Sequence, residues 1–185
     1  MIFQTFWHSQ LVLLTFSLGT FGRKHLKKLV FCLSKKPSLR LLCLSLTVTL
    51  NYWYMEVHLK IIGVLLIVLA LVHIVFPKYF NWGEELKSLS LINRQMMTVH
   101  TFFIALTVFL MGVLCLTSAT EILETNLGKK IALGLGIFWT VRLFIQFFGY
   151  SNELWKGKKF ETSIHILFSF LWTYFSIVFL TVCFN

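Results

Sequence analysis

IIGVLLIVLALVHIVFP, residues 61–77, decides the fold. Residues 61–76 carry no charge, and Pro77 then ends the run, because proline cannot comfortably continue a helical hydrogen-bond ladder. Extended back to Val57, the stretch is long enough to cross a hydrocarbon core about 30 Å thick at about 1.5 Å per residue. Three further runs of that kind follow, at 99–118, 131–150 and 163–184. In lipid only a helix satisfies the backbone polar groups of such a segment by itself.

The whole chain agrees. Its 185 residues are 57% hydrophobic and 17% aromatic, with a mean hydropathy of +0.80. Only 13% are charged, against about 25% in an ordinary soluble domain. A small soluble domain cannot hide that much apolar surface. A soluble enzyme, a disordered chain and a nucleic-acid-binding domain are therefore excluded. The expectation is an all-α integral membrane protein: a four-helix transmembrane bundle of two hairpins, with spans at about 57–77, 99–118, 131–150 and 163–184.

Outward from this bundle, composition changes at Met55. Residues 1–54 hold no Asp or Glu but carry Arg23, Lys24, Lys27, Lys28, Lys35, Lys36 and Arg40. Such a shift marks a boundary, between a basic, acid-free extension (1–54) and the membrane domain (55–185). The extension reads in three ways: an extra span or signal anchor, an organelle targeting segment, or an over-extended reading frame whose true start is Met55. The third is favoured by the short charged lead Met55-Glu-Val-His-Leu-Lys60 into a clean span.

Between the first two spans, Asn81-Trp-Gly-Glu84 has the spacing of a helix start, with Asn81 able to cap and Glu84 able to answer it. Trp82, Leu86, Leu89, Ile92 and Met96 then recur at helical spacing, which predicts a short helix lying in the membrane interface. Lys78, Lys87 and Arg94 fall in this connection and Lys156, Lys158 and Lys159 in the third, against Lys60, Lys129 and Lys130 on the opposite side. By the positive-inside rule the 78–97 and 151–161 loops are cytoplasmic, in a bacterial inner (plasma) membrane. The two halves also share a short echo, Thr98-Val-His-Thr-Phe-Phe103 against Ser163-Ile-His-Ile-Leu-Phe168.

Ionisable groups within spans are functional candidates. His73, His100, His165 and Gln146 each lie roughly 5–6 Å in from the same end, at about 1.5 Å per residue. Arg142 lies one turn deeper than Gln146 on the same face. Charge at that depth calls for a partner, and no carboxylate lies mid-span to supply one. An anionic group from elsewhere suits the guanidinium, a lipid phosphate or the carboxylate of an amphiphile. Asn93 and Arg94 extend that site at its mouth. The competing reading satisfies Arg142 with helix-end carbonyls and packing.

Three histidines at one level also fit a haem or transition metal held by His73, His100 and His165. No HxxH, HExxH or Glu-x-x-His motif supports that choice. Cys32, Cys43, Cys115 and Cys183 show no metal-ligand spacing. Serine-protease-type catalysis lacks its Asp, which the chain does not contain. Gly128, Gly134 and Gly136 read as sites of close helix contact.

His73-Ile-Val-Phe-Pro77 is similar to an element of the DoxX-like group of small four-helix bacterial membrane proteins. The likeness covers these five residues, does not extend through residues 93–100, and assigns no family. The functional expectation is a non-enzymatic membrane protein, in contact with the bilayer, that binds or moves a small amphiphilic or anionic molecule in a polar pocket near the cytoplasmic side. Arg142, Gln146, His73, His100, His165, Asn93 and Arg94 would bind it. The alternatives are a haem- or metal-binding redox protein, and a structural subunit whose polar cluster contacts a membrane protein partner or a second copy. Nucleic acid is not an expected partner.

Overall fold

The structure, a computed structural model, describes residues 37–151 and 157–184. The chain divides into two compact units, Met1–Asn51 and Tyr52–Asn185. The readings of the basic extension fall on residues 1–36 for the most part, outside the described residues, and Met55 lies inside the first described helix.

The described residues form helices α1 (Pro37–Tyr79), α2 (Trp82–Glu85), α3 (Leu91–Thr117), α4 (Ala119–Glu124), α5 (Asn126–Phe148) and α6 (Lys159–Phe184). A 3-10 turn, Leu86–Ser88, follows α2, and no strand occurs among the described residues. Four stretches are long and apolar enough to cross a membrane: Val48–Tyr79, Leu91–Thr117, Asn126–Phe148 and Lys159–Phe184.

Each span starts earlier in the chain than hydropathy alone predicts. Backbone hydrogen bonding does not stop where the apolar run stops, so helices continue beyond it. At 27 residues, α3 measures about 40 Å at 1.5 Å per residue, longer than the hydrocarbon core is thick. It therefore takes in Asn93, Arg94 and Gln95. Helix α1 likewise passes Pro77 and ends two residues later. Its stop is Asn81, which adopts the left-handed conformation (φ 46°, ψ 44°), where asparagine is tolerated at helix ends. The N–H groups of Phe80 and Asn81 donate to the carbonyls of Phe76 and Lys78, at 2.9 and 3.2 Å.

The connection after α1 is helical but shorter than its periodicity predicts. Helix α2 has four residues. Leu89 and Ser90 then extend (ψ 151° and 152°), so Ile92 and Met96 belong to α3. The capping exchange expected between Asn81 and Glu84 is not made: the Asn81 side chain caps nothing, and Glu84 pairs with Lys87 at 2.8 Å. The left-handed backbone that closes α1 has taken Asn81 out of the extended conformation an N-cap requires.

Packing turns these elements into two antiparallel hairpins. In the first, Gly63 and Gly112 face each other, each so close that an added Cβ would lie 2.9 Å from the other's carbonyl oxygen. In the second, Gly136 meets Leu180, Trp139 meets Trp172 and Gln146 meets His165. Leu59, Ile62, Leu66, Cys115, Ile122, Trp139, Phe175 and Phe179 are almost wholly enclosed. The opposite faces, including Val68, Leu71, Ile74, Phe102, Phe103, Phe144 and Phe148, are exposed and contact lipid.

The connection between the hairpins is folded too. Helix α4 buries Ala119, Ile122 and Leu123. Thr125 caps α5, its Oγ1 accepting from the Gly128 N–H at 2.8 Å. A Cβ on Gly128 would collide with the Glu121 carbonyl oxygen, so this turn requires glycine. Gly134 has nothing near its missing Cβ and makes no close helix contact.

Candidate functional site

The site grows out of one face of α5. Trp139, Arg142 and Gln146 are spaced by three and four residues, so a helix stacks them along one side. On α6, His165, Phe168 and Trp172 have the same spacing. Because the helices run antiparallel, Gln146 meets His165 at one level and Trp139 meets Trp172 at another, with Arg142 between.

At the first level, His165 donates from Nε2 to the Gln146 backbone carbonyl at 3.2 Å. A carbonyl only accepts, so this bond fixes the proton on Nε2. Gln146 is 6% exposed, and its Oε1 accepts from Arg142 Nη1 at 3.1 Å. At the second level the two indoles stack at 4.8 Å with planes 14° apart, and Phe168 continues the stack on Trp172 at 5.4 Å, also 14°. The half-buried guanidinium of Arg142 lies 5.4 Å from the Trp172 ring centre and 5.8 Å from that of Tyr150. Both distances are within cation–π range.

Arg142 is thus held by a neutral amide and two ring faces. The ion pairs among the described residues are Lys60 with Glu56 and Lys87 with Glu84, neither involving Arg142. Of the predicted site residues, Arg142, Gln146 and His165 come together. The others do not join them. His73 donates from Nδ1 to the Leu69 carbonyl of its own helix at 2.8 Å and lies 4.8 Å from the Phe76 ring. His100 does the same to the Met96 carbonyl at 3.0 Å and is exposed. Among the described residues no group of three or more His, Cys, Asp or Glu is placed to hold a metal ion, so the three histidines do not form a ligand set. Asn93 and Arg94 are exposed on the first turn of α3. Arg94 lines an open depression with Leu91, Gln95, Thr98 and Val99, built from α3 alone. Trp155, a candidate lining residue from its sequence position, lies outside the described residues.

Two features escape sequence reading. Trp139 and Trp172 share faces with Arg142 and His165, a spacing signal that could have placed them in the site. The other is a hydrogen bond between α1 and α6, His58 Nδ1 to Tyr174 Oη at 2.7 Å. The Tyr54 ring packs edge-on to His58 at 4.3 Å. No spacing rule predicts that bond, because it depends on how two distant helices are rotated.

Four apolar helices with lipid-facing aliphatic and aromatic side chains define a multi-pass helical integral membrane protein. Beyond that class, comparison with protein-family models, with curated proteins and with solved structures yields no match.

Proposed function

We propose that the protein binds or moves a small amphiphilic anion, non-enzymatically, with Arg142 as the anion's partner and Gln146 and His165 as its neighbours. One observation carries this reading. The half-buried guanidinium between α5 and α6 has an amide and aromatic faces for company, and no ion pair to it exists among the described residues. A partly desolvated cation left without a counter-charge carries a cost, and a ligand oxyanion reduces it. In the same reading the site opens toward the cytoplasm of a bacterial inner membrane, because the basic residues of the 78–97 and 151–161 loops favour that side.

Brominated stearic acid added to the full chain in neutral detergent micelles tests it. Binding should appear as saturable quenching of tryptophan fluorescence, since Trp172 lies beside Arg142. Arg142→Ala should weaken that binding by about tenfold or more, corresponding to about 1.4 kcal/mol, and Arg142→Lys by less. Equal affinity in wild type and Arg142→Ala would sink the reading.

A further inference from the structure

Trp139 and Trp172 are 2% and 4% exposed, and neither indole Nε1–H has a hydrogen-bond acceptor. Buried donors are nearly always paired in folded proteins, and an unpaired one is costly. Here two occur in one stacked ring pair. Arg142 is three residues from Trp139 on the same face and lies 5.4 Å from the Trp172 ring. It adds N–H donors and brings no acceptor. The nearby hydroxyls of Ser169 and Ser176 donate to the carbonyls of His165 and Trp172 on their own helix. None of these groups accepts from either indole, so two enclosed N–H donors at this level of the bundle go unmet.

Resting on the reading of Arg142 as an anion partner, we infer that Trp139 and Trp172 belong to the same binding site. The ligand's head group is an oxyanion with several acceptor oxygens, a carboxylate or a phosphate, shared between the guanidinium and the indole N–H groups. The aromatic stack alone could equally serve a quaternary ammonium through its ring faces. Arg142 decides against that, because its positive charge already lies beside the Trp172 ring and repels a second cation. An amine or a zwitterion would also bring donors to a place that needs acceptors. Both nitrogens are enclosed, so an incoming oxygen must part the packing around them.

The test uses the full chain in neutral detergent micelles and two probes, sodium laurate and a short-chain phosphatidic acid. The indole N–H resonances of Trp139 and Trp172 are followed by nuclear magnetic resonance. The better probe should shift these two resonances downfield and leave those of the remaining tryptophans in place. Its identity distinguishes carboxylate from phosphate. Trp139→Phe and Trp172→Phe, which keep a ring and remove the donor, should each weaken binding by about tenfold, as expected for hydrogen bonds to a charged acceptor. If both indole resonances stay still while Arg142→Ala still loses binding, the inference fails and the Arg142 site stands. If Arg142→Ala also binds like wild type, both fail. Where a Trp→Phe variant does not fold, the wild-type resonances alone decide.

Discussion

His100 and His165 occupy matching positions in two segments that read alike, yet the fold treats them differently. His100 is exposed and bonds back to its own helix. His165 is half-buried and bonds across to Gln146 on α5. The phenylalanines follow suit: Phe102 and Phe103 face outward, whereas Phe168 stacks on Trp172. The cause lies in the preceding helices. In the second hairpin, large side chains meet across the seam, Trp139 against Trp172 and Gln146 against His165. In the first, backbone lies close to backbone at Gly63 and Gly112. A shared motif sets depth along a helix, and the partner helix sets its environment.

The sharpest way to break this contrast is to fill the glycine seam. Gly112→Ala places a Cβ 2.9 Å from the Gly63 carbonyl and from the Ile67 side chain, and overpacking of that kind should cost about 3 kcal/mol. Thermal unfolding in detergent, followed by circular dichroism, should show the loss. Gly134→Ala, with open space at its Cβ, should show none. Equal stability of the two variants would mean the first hairpin is not held by close backbone approach.

A smaller effect separates the paired histidines. His165→Ala removes the bond to the Gln146 carbonyl and should cost about 1 kcal/mol. His100→Ala should stay within about 0.5 kcal/mol, as expected for an exposed position. A reversed order would show that the second segment owes nothing to α5. The smallest expected change concerns the tie between the hairpins. Tyr174→Phe deletes the hydrogen bond to His58 and should cost about 0.6 kcal/mol, the usual scale for such bonds within membranes. A double-mutant cycle with His58→Ala measures the coupling directly, and zero coupling would remove that tie.

The four spans and their order are legible in the sequence because hydropathy is a property of consecutive residues. The Arg142–Gln146 pairing is legible too, since both lie on one helix four residues apart. What spacing misses are properties of two elements at once. The Gly63–Gly112 crossing, the Trp139–Trp172 stack and the His58–Tyr174 bond each need the rotation of one helix against another, which periodicity in a nearly all-apolar helix does not encode. The three histidines illustrate the converse. Equal depth placed them on one level, but rotation sent His73 and His100 to carbonyls of their own helices and left His165 at the site. The short helix after α1 is legible too, but its extent is not, for a local reason: the extended backbone at Leu89–Ser90 interrupts a pattern that is continuous in side-chain type.

The packed turn at α4 has a consequence for anyone wishing to cut or tag this protein. The first connection exposes nearly all of its residues between Asn81 and Ser90 and offers a place where an epitope or a split-reporter junction costs little. The second connection is part of the bundle: Ala119, Ile122 and Leu123 are buried, and Gly128 lies against the backbone of α4. A break there exposes core and unseats the start of α5. A two-fragment version of the molecule should therefore be divided before α3, so that the three remaining spans are made together.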